Sequence, residues 1–475
     1  MFTEQQQAII STVSERSTSV VGRACAGTGK TTTAVAACSA NLEPTYFVAF
    51  NKRIAKELGE KMPMHVESST FNSVGHRAWA RKVGKLTLEA NKTWDVMKEL
   101  GIDYKERADV KDLVHKAKAI GMIPQQSIGN VEGMWADTRD NWENVADSLS
   151  IDSKLIEHAR DTLRRSIALG WKGVIDFDDQ LLLPAIYGAP LIKRPLVGVD
   201  EAQDLSPINH KLLHLMTSER IFAVGDPNQA IYGFRGAHAE SMPTLAAAWA
   251  AQWLNLTVSF RCPKAVTVEA QHYVPDMEAH PDAPDGLVVH HDSTVALKEL
   301  VGSAILCRFN KPLLALAFGL INEGIGCQML GRDIGKGLER LLNKLDAQSI
   351  DDAKSKLRAH LDRERNKLDE QGKSTELLED KCACLFIILN NCRSLDDAFI
   401  RLQTLFSNDV ARTTLSSIHK AKGLEWDRVF FLDSHNIPCR WATKDWEIQQ
   451  EYNCAYVAVT RAKKELHFVS TEQLR

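Results

Sequence analysis

The stretch Ala24-Cys25-Ala26-Gly27-Thr28-Gly29-Lys30-Thr31 decides how this chain is read. It follows a short apolar run, Ser19-Val20-Val21-Gly22, and precedes Thr32-Thr33-Ala34-Val35-Ala36-Ala37, which has helical composition. Strand, glycine-rich turn, then helix is the context a phosphate-binding loop requires. It fits that pattern except at its first position, where Ala24 replaces glycine. Amides of Ala26, Gly27, Thr28, Gly29, Lys30, Thr31 and Thr32 are placed to wrap a phosphate at a helix start. Lys30 would bridge the β- and γ-phosphates, and the Thr31 hydroxyl would meet a magnesium ion.

A second signal lies far along the chain. Leu196-Val197-Gly198-Val199 is an apolar strand ending in Asp200-Glu201-Ala202-Gln203-Asp204. In a parallel sheet that end faces the phosphate loop. Asp200 can hold the metal, and Glu201 can orient and deprotonate an attacking water. A nucleotide with Mg2+ is therefore the expected ligand.

Around these motifs, short apolar runs alternate with helical stretches. Tyr46–Ala49 and Ile221–Val224 complete a first set. Ala304–Cys307, Gln328–Leu330, Thr414–Ser417, Val429–Leu432 and Leu466–Val469 form a second. The alternation predicts an α/β fold with two parallel sheets. Residues 75–170 and 336–410 break it and read as helical insertions, the latter as a solvated helical pair. The predicted division is 1–74 with 171–255, interrupted by 75–170, then 256–335 with 411–475, interrupted by 336–410.

At 475 residues the chain is too long for one ordinary domain. The net charge of -3 does not decide for or against nucleic acid, because a groove needs only local positive charge. No run approaches a membrane span, and Met1-Phe2-Thr3-Glu4 lacks the character of a secretory leader, so a cytoplasmic setting is expected, or a nuclear one in a eukaryote. The ten cysteines are scattered in apolar segments and read as reduced and buried. Cys382, Cys384 and Cys392 are the one cluster, with no second pair for a zinc site.

In order along the chain, Ala24–Thr31, Val199–Asp204, Val224–Ala237, Ser417–Glu425 and Tyr456–Ala462 resemble the motifs of superfamily 1 helicases of the UvrD/Rep/PcrA type. Phe50-Asn51-Lys52 and the compact size are also similar to F-box DNA helicases and phage-encoded UvrD-like proteins. The resemblance implies two RecA-like motor domains with ATP in the cleft between them, and single-stranded DNA running across both. It implies translocation from 3′ to 5′ and helical insertions of the 1B and 2B kind. Gln6, within Phe2–Ile10, would read adenine. Gln229 would sense the γ-phosphate. Arg261 and Arg461 would contact it from the second motor domain. Phe260 would stack on adenine, and Gly423 with Glu425 would approach the ribose.

For the strand, the resemblance points to Phe50, Asn51, Thr70, Phe71, Tyr232, Phe234 and Arg235 on the first domain. It points to Arg308, Asn310 and His419 on the second. Phe71 and Tyr232 read equally well as core. Asn72 stands where the family has histidine, and Phe234 where many members have tryptophan. No base-reading module is visible, so binding independent of sequence is expected. Asp176-Phe177-Asp178-Asp179 could suggest a metal, but a structural role is favoured. The 336–410 insertion is much shorter than those of strongly unwinding members. The sequence closes soon after its last strand, so no fused nuclease is expected. The expected partners are single-stranded DNA and its junctions with duplex, plus a nuclease or a repair or replication factor. A monomer is expected, with no membrane role. A translocase that unwinds little by itself is the alternative.

Overall fold

A computed structural model describes residues 2–49, 52–124, 135–149, 151–231, 240–370, 375–406 and 413–475. The chain divides into two units, Met1–Ala24 with Gly29–Leu256, and Cys25–Thr28 with Thr257–Arg475. No described helix is long and apolar enough to cross a membrane.

The first unit is built on six strands: β1 (Val20–Ala24), β2 (Thr45–Ala49), β3 (Val66–Thr70), β4 (Arg194–Val199), β5 (Thr217–Gly225) and β6 (Gln252–Leu256). Their order is β6-β1-β5-β4-β2-β3, and every pairing is parallel. All five β2 residues are buried, as expected for a strand covered on both faces. Because the strands are parallel, Ala24, Ala49, Thr70, Val199 and Gly225 all end at one edge. The segments following them are thereby gathered there, although they are far apart in sequence.

The stretch between β3 and β4 is mostly helical. In the helix Phe71–Val83, the buried residues are Phe71, Val74, Gly75, Ala78 and Trp79. That spacing marks one apolar stripe. Thr70 caps the helix, its hydroxyl accepting the Ser73 amide at 3.1 Å. Trp79 and Trp142 are fully buried in the same hydrophobic core as Val197 and Ala223 of the sheet. Each indole N–H has a partner, the Gly170 carbonyl at 3.0 Å and the Asp137 carboxylate at 2.7 Å.

The acidic stretch before β4 has a structural role. Lys118 reaches Asp176 at 2.7 Å and Asp179 at 2.8 Å, and Lys92 pairs with Asp179 at 2.5 Å. All four side chains are buried. Against the upward push of burial, Lys118 holds the Asp176 carboxyl below the usual carboxylate range. Two helices of the insertion, Lys92–Glu99 and Arg107–Ile120, are thus pinned to the helix Asp179–Ile186.

The second unit holds β7 (Leu287–His290), β8 (Ala304–Cys307), β9 (Cys327–Met329), β10 (Thr413–Ser417), β11 (Trp426–Leu432) and β12 (Ala462–Val469). Their order is β7-β12-β11-β8-β10-β9, again parallel throughout. Four helices, Arg332–Lys344, Ile350–Glu370, Glu376–Asn390 and Leu395–Leu405, lie between β9 and β10. They are more than a solvated pair. Leu338, Leu357, Leu385 and Leu402 belong to one core with Ile305, Leu313 and Leu415. The apolar run Cys384–Leu389 supplies that face. Cys382 and Cys384 are buried within it, and burial pushes the Cys382 thiol up to about 11.

Candidate functional site

The phosphate loop leaves β1 at Ala24 and enters the helix Lys30–Ala40. Gly27 and Gly29 have φ of 76° and 77°, a conformation that costs a side-chain-bearing residue energy. Within the loop, the Thr28 hydroxyl donates to the Cys25 carbonyl at 2.9 Å. Lys30, Thr31 and Thr32 open the helix, where unpaired amides and the helix dipole favour an anion.

Lys30 Nζ lies 3.4 Å from Glu201 Oε2. Glu201 follows the end of β4 with φ 54° and ψ 44°. An L-residue there costs about 1–2 kcal/mol. Its carboxylate also accepts the Gln203 amide at 2.6 Å. Gln203 Oε1 in turn accepts the Asp226 backbone N–H at 2.9 Å, just after β5. Asp226 accepts the Gln229 side-chain amide at 2.8 Å. One polar chain therefore runs from Lys30 to Gln229 across the ends of two strands. The sequence reading missed Gln203 and Asp226, although both stand beside assigned residues in the quoted motifs.

Asp200 is buried, and its carboxylate accepts the Glu201 N–H at 3.0 Å. Burial, then the negative charge of Glu201, pushes its carboxyl up to about 6. Burial likewise raises Asp226. The donors offered by Thr31 and Asp200 are oxygens, the type magnesium requires, so these residues fit the ion. Gln6 has a local task. Its Oε1 accepts the Thr3 amide at 3.0 Å in a capping box that opens the helix Glu4–Ser14.

In the second unit, Phe260 is 46% exposed, with its ring 4.7 Å from that of His280. Such a flat exposed face can take a base. Arg261 Nε pairs with Glu425 Oε2 at 2.6 Å. Gly423 has φ 82°. Arg461 is 1% exposed, and its guanidinium donates to the carbonyls of Val457 at 2.9 Å and Leu424 at 3.1 Å, and to the Thr460 hydroxyl at 3.0 Å. Arg461 therefore fastens the loop carrying Glu425 to the helix Asp445–Val459. Sequence reasoning, by resemblance, had given it only to phosphate.

Among the expected strand contacts, Phe50, Asn51, Tyr232, Phe234 and Arg235 lie outside the described residues. Phe71 is 6% exposed and belongs to the core, so its ring is not an open stacking face. Thr70 is the helix cap already described. Phe177, unassigned from sequence, is 52% exposed. Asn72 donates to the Phe177 carbonyl at 2.7 Å and to Gln180 Oε1 at 3.0 Å, which fixes this turn. A cavity of about 340 Å3 lined by Ala49, Phe71, His115, Phe177 and Asp200 lies beside it.

Arg308 pairs with Glu451 at 2.7 Å, and Asn310 donates to Asp380 at 3.0 Å. In this structure both side chains are held by acids. His419 is half-buried, with Nε2 3.7 Å from Cys454 Sγ.

A family model described as the UvrD/REP helicase N-terminal domain matches residues 1–248. Another, the UvrD-like helicase C-terminal domain, matches residues 340–473. The chain is 24% identical to F-box DNA helicase protein 1 of Schizosaccharomyces pombe over 491 residues, covering 94% of this chain and 54% of the relative. It is 23% identical to F-box DNA helicase 1 of Gallus gallus over 516 residues, covering 98% of this chain and 48% of the relative. With ATP-dependent DNA helicase Rep of Escherichia coli, identity is 26% over 205 residues, covering 41% and 29%. The chain spans about half the length of the two F-box relatives.

Proposed function

The chain belongs to the UvrD/Rep helicase family, and on that footing we propose that it hydrolyses ATP to move along single-stranded DNA, from 3′ to 5′, and separates duplex at junctions. The observation that carries the proposal is Lys30 held 3.4 Å from Glu201 at the sheet edge. A phosphate needs a cation and amide donors, and hydrolysis needs a base for water. Here all three converge from β1 and β4. Lys30 offsets phosphate charge. Glu201, steered by Gln203, takes the proton from the attacking water. Asp200 and Thr31 would hold Mg2+, which supplies Lewis-acid stabilisation when bound. Gln229, tied to Asp226, sits where nucleotide state can be passed on. Arg261 and Arg461 take the phosphate-facing roles that the resemblance assigns, with Arg461 also shaping the Glu425 loop.

A second reading rests on one feature. Among the described residues, the 336–410 helices share a core with the β8–β11 sheet and form no separate lobe that could brace a duplex. A translocase that unwinds little alone, displacing proteins or serving a partner nuclease, is consistent with that. Steady-state ATPase measured with and without oligo-dT tests the main proposal. Turnover should rise with DNA and vanish in Lys30→Ala and Glu201→Gln. Turnover that survives Glu201→Gln would remove the mechanism. Forked duplexes with 3′ or 5′ tails decide polarity and separate helicase from translocase.

A further inference from the structure

We propose that the helical insertion of the second unit builds one wall of a seat for a single nucleotide of the bound strand. The inference rests on the reading that the chain binds single-stranded nucleic acid, and it names residues that neither the sequence motifs nor that reading assigns.

The seat is a cavity of about 640 Å3, within the usual range for ligand sites of about 300–1,000 Å3. Phe309 and Lys311 line it from the carboxyl end of β8, Arg440 and Trp441 from the loop after β11, and Arg365 and Phe386 from the insertion. The insertion is fastened to both other sides. The Asp380 carboxylate accepts the Lys311 backbone N–H at 2.8 Å and the Asn310 side-chain amide at 3.0 Å. Glu379 accepts Arg365 at 2.9 Å and Arg440 at 3.4 Å.

Two features fit a nucleotide. Each aromatic ring has a guanidinium near its face: Arg440 at 4.3 Å from the Trp441 centroid, Arg308 at 5.2 Å from Phe309, and Arg358 at 5.9 Å from Phe386. Aromatic platforms with arginines are how strands are held without sequence preference. The charged lining, Lys311, Arg365 and Arg440 against Glu379 and Asp380, has a cationic excess suited to phosphate.

The test is fluorescence anisotropy of labelled oligo-dT on the full chain, without ATP, over a range of salt. Arg365→Ala and Phe386→Ala should each weaken binding by about 5- to 100-fold. Arg365→Ala should also reduce the salt slope by about one contact, whereas Phe386→Ala should not. Photocrosslinking of 4-thio-dT oligonucleotides to the unmutated protein guards against variants that fail to fold. Adducts on Phe386 or Trp441 are expected. Tight binding by the parent with variants within about twofold, and no adduct at the seat, overturns the seat and leaves the strand reading intact. No binding by the parent overturns both. Competition by ATP as strong as that by unlabelled oligo-dT overturns the strand assignment in favour of a free nucleotide.

Discussion

Lys118→Met is the substitution through which the architecture of the first unit can be tested most severely. Lys118 is 1% exposed and bonds Asp176, Asp179 and the Ser166 hydroxyl. In the parent, two lysines face two carboxylates and the buried set is neutral. Methionine fills the volume of the lysine stem but leaves Lys92 alone against both acids, so one negative charge is buried without a partner. Removing one member of a buried ion set costs about 3–5 kcal/mol. For a unit of this size that lowers Tm by roughly 10 °C.

Adding Asp179→Asn restores neutrality and keeps the oxygen that accepts the Asp176 amide at 3.0 Å. The double variant should therefore recover most of the loss. The cost should also depend on pH. In the single variant an unpaired buried carboxyl titrates higher folded than unfolded, so the folded state takes up the proton first. The penalty is full above the folded pKa and is relieved as pH falls through it toward the unfolded value. Denaturant titrations of parent, single and double variants at several pH values provide the measurement. A loss under about 1 kcal/mol, or equal losses in single and double variants, would refute the charge-balance reasoning.

Phe260→Ala should raise KM for ATP by about 3- to 10-fold with little change in stability, because the ring is exposed and its value is in stacking; an unchanged KM would remove Phe260 from the adenine site. Gly75→Ala should destabilise the first unit by about 1–3 kcal/mol. A Cβ at Gly75 would stand 1.8 Å from the Gln180 carbonyl oxygen, and the helix-propensity gain of about 1 kcal/mol cannot offset that overlap. Equilibrium unfolding reads it directly.

Local chemistry determined much of this protein from its sequence alone. Apolar runs closed by glycine or acid could only be strands buried on both faces, and the spacing from Ala24 to Thr31 announced a phosphate loop. Asp200-Glu201 after such a run placed the acids at the right sheet edge, since every strand of a parallel sheet ends on one side. What tertiary structure decided was which similar residues were core and which were surface. Phe71 and Phe177 both lie in short polar contexts, yet one is 6% exposed and the other 52%. Burial depends on what packs against a residue, and its own neighbours in sequence do not encode that. The commitment of Arg308 to Glu451, 143 residues away, and of Asn310 to Asp380, 70 away, was equally hidden. So was the link from Gln203 to Asp226, 23 residues apart. Ion pairs and hydrogen bonds between distant segments form only where the fold brings charges together, so the sequence named the chemistry and the packing chose the partners.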